Sequence, residues 1–132
     1  MRSTGQRGEL LVAEKLIANG WSVAHPLSDS SPFDLLVAKG DRFLRIQVKT
    51  TLEQHHYPKK SPHYHFGTSK GLGLKKKYSK GEADFFVCVA LDSLRFWIIP
   101  FKEIKTFTIK IYDEEGKWTK FEDAWKILEY DF

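Results

Sequence analysis

The chain opens with a segment whose apolar positions recur at helical spacing. Ser3 and Gln6 have the spacing of a capping box, and Gly20 follows the last apolar position. The pattern predicts a helix that begins near Ser3 and ends at Gly20. Glu9 falls near the middle of the apolar arc, whose other members are Leu10, Val12, Ala13, Leu16 and Ile17. A carboxylate buried without a partner costs several kcal/mol or has a raised pKa, so Glu9 is a candidate functional residue.

The rest of the chain consists of short extended runs separated by turn-forming residues. The extended runs are WSVAHP, FDLLVAK, RFLRIQVKTT, ADFFVCVAL, LRFWIIP and KTFTIKIY. TKFEDAWKILEY has the spacing of an amphipathic helix, and residues 53–82, with two prolines and four glycines, are expected to be an irregular loop or flap. The order predicts a single α/β domain over residues 1–132, with a central mixed β-sheet flanked by helices.

The second and third extended runs flank Gly40-Asp41, which is a plausible hairpin turn. With the turn centred there, each step back along the first strand is matched by one step forward along the second, which fixes the facing pairs. On one face every pair is apolar: Phe33 with Val48, Leu35 with Ile46, and Val37 with Leu44. Because a slip of one residue would move the apolar set to the other face, these pairs support the register.

The opposite face of the same hairpin is polar. Asp34 stands opposite Gln47, and Lys49 lies two residues beyond on the same face, because side chains alternate along a strand. Directly opposed Cβ atoms are roughly 5 Å apart, close enough for a carboxylate and an amide oxygen to hold one cation. A helix packed on this sheet would direct Glu9 toward it, and its docking decides whether Glu9 reaches Asp34. The alternative interpretation is the polar outer face of an ordinary half-solvated sheet.

Carboxylate and amide oxygens are hard ligands that suit Mg²⁺ or Mn²⁺. A metal held there would activate a water and neutralise charge that develops on phosphorus. A lysine beside it could orient or deprotonate the water and stabilise the transition state. These are the requirements of phosphodiester hydrolysis. Gln47 is neutral, so Glu9 and Asp34 would have to supply the negative charge.

The order of Glu9, PFD ending in Asp34 and QVK ending in Lys49 resembles the PD-(D/E)XK nuclease superfamily. Its core, the restriction-endonuclease-like fold, is a helix carrying a glutamate followed by a hairpin that bears the Asp and the (D/E)XK strand. PFDLLV and RIQVKT look most similar to a bacterial branch in which Gln replaces the acidic residue, a branch that includes a group I intron homing endonuclease. RGE at residues 7–9 resembles, more distantly, Holliday-junction resolvases.

The resemblance implies a role for each matching position. Glu9, Asp34 and Gln47 would be metal ligands, with Mg²⁺ as the cofactor and Mn²⁺ as a substitute, and Lys49 would complete the catalytic site. It also implies DNA as the substrate and a homodimer or larger homo-oligomer. Gln47 departs from the acidic residue of most members, and outside the glutamine-bearing branch it would indicate a weakened metal site.

Positive charge is concentrated in the expected loop at residues 53–82. The chain has a formal charge of +4, and the stretch from Gln54 to Gly81 contains seven lysines, four of the five histidines and no acidic residue. Such a segment suits a phosphate backbone, although a solvated lysine-rich loop is an equally good interpretation. The candidate DNA-binding residues are Arg7, Lys59, Lys60, Lys70, Lys75, Lys76 and Lys77. His55 and His56 are further candidates for phosphate contacts; a zinc cluster there lacks cysteines and regular spacing.

The remaining features limit the class of protein. Hydrophobic residues make up 42% of the chain, and no apolar run reaches the roughly 18 residues of a membrane span. Cys88, the single cysteine, is expected in the core, as are Trp97 and Trp125, and the cytoplasm is the expected compartment. The sequence therefore favours a metal-dependent DNA endonuclease. The alternatives are a catalytically inactive nucleic-acid-binding module of the same fold and a small domain without a nucleic-acid role.

Overall fold

The computed structural model describes residues 2–70, 76–77 and 81–130. One α-helix, α1, spans Arg2–Ala18, and nine strands follow it within these residues. The strands are β1 Ser22–Ala24, β2 Leu35–Lys39, β3 Arg42–Thr51, β4 His63–Gly67, β5 Ser69–Lys70, β6 Lys76–Lys77, β7 Phe85–Ala90, β8 Arg95–Pro100 and β9 Thr108–Tyr112. Short 3₁₀ turns cover Phe101–Glu103, Thr119–Phe121 and Trp125–Glu129. The helix within the described ranges is too short and too polar to cross a bilayer.

Helix α1 confirms the predicted element and its end. The Trp21 amide donates to the Leu16 carbonyl at 3.0 Å, and the Gly20 amide donates to the Ile17 carbonyl at 3.0 Å. This pair of bonds is the Schellman motif, which requires a left-handed residue after the helix. Gly20 supplies it with a φ of +92°. The sequence therefore encodes the end of the helix locally.

The buried face of α1 differs from the expected one. Gly8, Val12 and Leu16 are buried, whereas Leu10 and Ile17 are 60% and 61% exposed. The buried arc is therefore centred on Val12, roughly 60° around the helix from Glu9. Glu9 lies on the flank of the packed face and is half-buried, not at its middle as expected. The error arose because Leu10 and Ile17 were counted as core residues, although apolar residues are common on protein surfaces.

The central sheet has five strands in the order β1-β2-β3-β7-β8. Strands β3 and β7 are parallel, and the other neighbours are antiparallel, so the sheet is mixed. In the β2–β3 hairpin, Leu35 faces Ile46 and Val37 faces Leu44, which confirms the predicted register. Lys39 pairs with Arg42, so the turn is the two-residue Gly40-Asp41 loop, and Gly40 has a φ of +59°.

Each face of the central sheet has its own apolar core. Helix α1 covers one face, where Val12 and Leu16 pack against the apolar side of the hairpin. A separate two-stranded sheet of β4 and β9 covers the other face, with Tyr64 and Ile109 among the residues packed around Trp97. Cys88, Trp97 and Trp125 are buried, as expected. The molecule is thus a mixed α/β structure with a central mixed sheet, as predicted from the restriction-endonuclease-like fold, but in the described residues an α-helix flanks only one face and a two-stranded sheet covers the other.

The second sheet corrects two expectations. The run KTFTIKIY was assigned to one central sheet, but β9 pairs with β4, where Tyr64 faces Ile111 and Phe66 faces Ile109. The segment 53–82 is not irregular throughout, because it contains β4. HYHFG lies within the segment that is expected to be irregular from its two prolines and four glycines. Its alternate residues Tyr64 and Phe66 are nevertheless buried, and that alternation was the missed signal.

The closing helix expected over TKFEDAWKILEY is wrong. The segment instead forms two 3₁₀ turns, and between them Asp123 has a φ of +53° and donates its amide to the Phe96 carbonyl at 2.9 Å. Phe121 is buried in the core on one face of the central sheet, whereas Trp125 and Leu128 are buried in the core on the other face. One straight helix cannot place its single apolar stripe on both faces, so the chain bends around the β8 edge.

Candidate active site

Asp34 lies just before β2, at the point where the hairpin begins. Its Oδ2 atom accepts two hydrogen bonds at 2.8 Å, one from the Val48 backbone amide and one from Gln47 Nε2. Its own amide donates to the Ile46 carbonyl at 2.9 Å, which continues the ladder beyond β2. These three bonds fix the carboxylate on the polar face of the hairpin, as its sequence position predicted.

Gln47 is only 8% exposed, and its amide nitrogen faces Asp34. In this arrangement the side chain donates a hydrogen bond to the carboxylate and orients it. A 180° rotation of the terminal amide would present Oε1 to Asp34 instead. Two facing oxygens repel unless a cation lies between them, so the metal-ligand role expected for Gln47 stays a prediction and requires that rotation.

Glu9 approaches the site because α1 packs very closely on β3. A Cβ atom added to Gly8 would lie 1.9 Å from Thr50 Oγ1 and 2.9 Å from Thr50 Cβ. Only glycine permits this approach, since those separations are shorter than side-chain contacts allow. The contact was not anticipated from the sequence, where a glycine inside a helix was the available signal.

The two carboxylates interact electrostatically. Burial raises the pKa of Glu9, and the charge of Asp34 raises it further. Burial also raises the pKa of Asp34, against the opposing effects of its bond from the Val48 amide and of the Lys49 charge. Both groups are therefore destabilised as anions and would gain from a bound cation. The charge of Asp34 thus acts on Glu9, and their joint binding of one ion stays a prediction.

Lys49 completes the polar group on the same face of β3. Burial lowers the pKa of Lys49, and the Asp34 charge acts in the opposite direction. Its neighbour on β7 is Cys88, with which it is paired in the parallel register. Burial raises the pKa of the Cys88 thiol to about 12, so this cysteine is neutral near pH 7 and has no nucleophilic thiolate. A lysine with a lowered pKa beside a carboxylate is suited to proton transfer.

His25 is a member of this group that the sequence analysis missed. It follows β1, the edge strand beside β2, and its side chain is exposed. The charge of His25 lowers the pKa of both Glu9 and Asp34, in each case by less than burial raises it. The available signal was its place at the end of a strand next to the Asp34 hairpin, immediately before Pro26.

The predicted DNA-binding residues are spread over several elements. Arg7 is exposed on α1, and Lys59 and Lys60 are exposed in the loop before β4. Lys70 and Lys76 are paired across the β5–β6 ladder, and Lys77 pairs with Ser69. Lys75 lies outside the described residues. Their role in binding DNA stays a prediction.

His63 and three rings around it form a compact group, which we call the His–Tyr cluster: His55, Tyr57, His63 and Tyr112. His55 Nδ1 shares a hydrogen bond of 3.0 Å with the Tyr57 hydroxyl, and the His63 and Tyr112 ring centroids are 4.9 Å apart. Within the described part of the chain, no three His, Cys, Asp or Glu side chains are arranged to bind a metal. Any metal at Glu9 and Asp34 would therefore need a further ligand such as an amide oxygen or water.

An open groove of about 720 Å³ extends from Lys49 to the His–Tyr cluster. Thr4 and Gly5 at the start of α1, the second half of β3 and the loop up to Tyr57 form its walls. The groove therefore connects Lys49 with the aromatic loop, and it is large enough to hold part of a polymeric substrate.

Comparison with known proteins agrees with this architecture. Protein 5.3 of Escherichia phage T7 is 28% identical over 117 residues, which cover 89% of this chain and 94% of the phage protein. The solved structure of a bacterial homing endonuclease, I-Ssp6803I, matches with a TM-score of 0.80 and 18% identity, over 98% of this chain and 93% of that one. The family model described as PD-(D/E)XK endonuclease matches residues 1–127. This chain therefore belongs to the PD-(D/E)XK endonuclease family.

Proposed function

We propose that this protein is a metal-dependent DNA endonuclease that hydrolyses phosphodiester bonds. The observation that supports this function best is the electrostatic coupling of Glu9 and Lys49 to Asp34, with the pKa of each group shifted by burial. Lys49 also lines an open groove. Family membership supports a nuclease, and the groove gives a polymeric substrate access to Lys49. Mg²⁺ is the proposed cofactor, and Mn²⁺ is its proposed substitute.

The donor set fits a hard divalent cation. Two carboxylates whose pKa values are raised would both become more stable as anions beside such an ion, and the Gln47 oxygen could add a neutral ligand. When bound, the ion would neutralise charge on the phosphoryl oxygens and activate a water. Glu9, Asp34 and Gln47 are the residues that would hold it.

The chain's own residues then have distinct tasks. Asp34 is oriented by the Val48 backbone amide, whose bond to Oδ2 does not depend on the direction of the Gln47 amide, so the second oxygen, Oδ1, keeps a defined direction. Lys49 would orient the attacking water or take its proton, because burial lowers the pKa of the lysine toward a useful range. The protonated lysine would afterwards stabilise the negative charge on the pentacoordinate phosphorus.

A second candidate is a nucleic-acid-binding module that has lost cleavage. The observation that favours it is the direction of the Gln47 amide, whose nitrogen donates to Asp34. With Gln47 turned this way, Glu9 and Asp34 would be the remaining metal ligands. In that case Gln47 would serve to keep the hairpin together after the metal site had weakened. Lys49 distinguishes the two candidates, because a binding module has no use for its proton.

The proposed function is tested by cleavage of supercoiled plasmid and four-way-junction DNA with Mg²⁺ or Mn²⁺. Wild-type protein is compared with Asp34→Ala and Lys49→Ala, and with Glu14→Ala as a control, since Glu14 is an exposed acid on α1. We expect metal-dependent cutting that both site variants lose and the control keeps, while DNA binding by Lys49→Ala falls only slightly. Cutting that survives both substitutions would refute the site, and intact binding without any cutting would support the binding module.

DNA contacts and assembly form a further part of the proposal. Arg7, Lys59 and Lys60 are exposed and are proposed to contact phosphates, together with Lys70, Lys75, Lys76 and Lys77. One active site cuts one strand, so cleavage of both strands of a duplex calls for a second copy, and we propose a homodimer or larger homo-oligomer. The cytoplasm, expected from the cysteine content, stays the predicted compartment.

A further inference from the structure

We propose that Tyr57, held by the His–Tyr cluster, is a stacking platform for an unpaired base of the DNA strand next to the bond that is cut. The inference rests on the proposed nuclease function and deepens it, because it identifies distorted or partly single-stranded DNA as the preferred substrate. Four observations on the described residues support it: the position of the ring, its anchoring, its exposure and the charge of the groove.

Tyr57 is in the right place for this role. Tyr57 and Lys49 both line the groove of about 720 Å³, at opposite ends of the segment 49–57. The cavity falls in the size range of small-molecule sites, roughly 300–1,000 Å³, and can therefore take a nucleotide. A strand that has a phosphate at Lys49 and follows the groove would pass Tyr57.

The ring of Tyr57 is held in place before any ligand binds. Its hydroxyl bonds to His55 Nδ1 at 3.0 Å, and its ring centroid lies 5.8 Å from the buried ring of His63. His55 and His63 also exchange two backbone hydrogen bonds of 2.7 and 3.2 Å, which join the loop to the start of β4. Because the ring is already ordered, stacking on it costs little further side-chain entropy.

Half of the Tyr57 side chain nevertheless remains exposed, at 50% of its full accessible surface. A half-exposed tyrosine offers apolar ring surface to a ligand. Aromatic side chains of this kind bind bases by stacking in proteins that recognise single strands. In an intact duplex both faces of a base are covered by neighbouring bases, so only an unstacked base can use the platform.

The charge of the groove also favours a base over a phosphate at the end that Tyr57 lines. Its lining includes one lysine, Lys49, and one carboxylate, Glu53, so the formal charges cancel. A channel for the sugar–phosphate backbone would instead be lined by several cations. The nearest exposed lysines in the sequence, Lys59 and Lys60, follow Tyr57 and are not among the lining residues.

The test measures DNA affinity in EDTA, where a metal-dependent nuclease does not cut. Two fluorescent duplexes of the same sequence are compared, one fully paired and one with a single unpaired adenine. The variants are Tyr57→Ala, Tyr57→Phe and, as a matched control, Tyr130→Ala. Tyr130 is also an exposed tyrosine, but its carbonyl binds Arg42, at the opposite end of β3 and roughly 30 Å along that strand from Thr51.

We expect the wild-type protein to bind the duplex with the unpaired adenine more tightly than the paired one. Tyr57→Ala should weaken that preferred complex roughly 10- to 100-fold, the usual effect of removing one stacking ring, and change paired binding less than about threefold. Tyr57→Phe keeps the ring but loses the bond of its hydroxyl to His55, so it should keep the preference for the unpaired adenine and lose less affinity than Tyr57→Ala. Tyr130→Ala should bind like the wild type. Equal losses on both duplexes, or no preference in the wild type, would refute the platform.

The nuclease and the platform can fail separately. Metal-dependent cutting that is lost in Asp34→Ala, together with no selective effect of Tyr57→Ala, would refute the platform and leave the nuclease intact. A selective loss of binding in Tyr57→Ala, together with no cutting by any form, would support the platform and refute the nuclease. A chain that binds neither duplex would refute both.

Discussion

Replacing Gly8 by alanine tests whether the close approach of α1 to β3 is what places Glu9 at the site. The new Cβ would lie 1.9 Å from Thr50 Oγ1, and 2.9 Å from both Thr50 Cβ and Thr50 Cγ2. A change of the Thr50 rotamer can move its oxygen and methyl group but not its Cβ. The helix must therefore move away by about half an ångström or more to restore ordinary contact.

The magnitude follows from two opposing effects. Alanine inside a helix is favoured over glycine by about 1 kcal/mol, whereas forcing an extra methyl group into a packed interface costs about 1–3 kcal/mol. Gly5→Ala provides the matched control, because it lies in the same helix and a Cβ there would meet nothing within 4 Å. We therefore expect Gly8→Ala to be less stable than Gly5→Ala by about 1–3 kcal/mol.

The assay is urea unfolding of the wild type and both variants, followed by DNA cleavage at one metal concentration. A shift of the helix moves Glu9, and a misplacement of 1 Å can reduce activity by about 100-fold. Thr50→Ala removes the oxygen and the methyl group but keeps Cβ, so it should partly rescue Gly8→Ala, with a coupling energy above about 0.5 kcal/mol. Equal gains in stability from both glycine substitutions would refute the reasoning.

Three further outcomes follow from the site and the cores. Burial and Asp34 raise the pKa of Glu9 in the folded state, so the ionisation of Glu9 lowers stability as pH rises through that pKa. Glu9→Gln should therefore unfold at a higher urea concentration than the wild type at pH 7. The difference between the two urea midpoints should vanish below about pH 4. Mn²⁺ at about 100 times its dissociation constant should add about 2.7 kcal/mol to the stability of the wild type, measured by thermal unfolding. Asp34→Asn should largely lose this stabilisation. An unfolding midpoint that does not depend on the metal would contradict the proposed cofactor. Glu122→Ala removes two hydrogen bonds of 2.8 and 3.0 Å to the Arg95 guanidinium and should lower the free energy of urea unfolding by about 1–2 kcal/mol. The Glu129 carboxylate lies 3.5 Å from a lysine at the surface, so Glu129→Ala should lower it by less than about 0.5 kcal/mol.

Local sequence determined the hairpin and most of the polar group on it. The turn at Gly40-Asp41 and the alternation of side chains along two strands depend on neighbouring residues, so the register followed from the sequence and placed Asp34 beside Gln47. The end of α1 at Gly20 was also local. The family resemblance came from the same stretch, because its motif residues lie on these elements.

Tertiary structure decided what depends on contacts between distant segments. The Gly8–Thr50 approach, rather than the apolar arc of α1, sets the position of Glu9, and the pairing of β1 with β2 brings His25 into the electrostatic field of the two carboxylates. Phe121 and Trp125 pack on opposite faces of the sheet, so the closing segment bends although its apolar spacing suits a helix. A sequence pattern shows which side chains avoid water, but the surface that receives them comes from the rest of the chain.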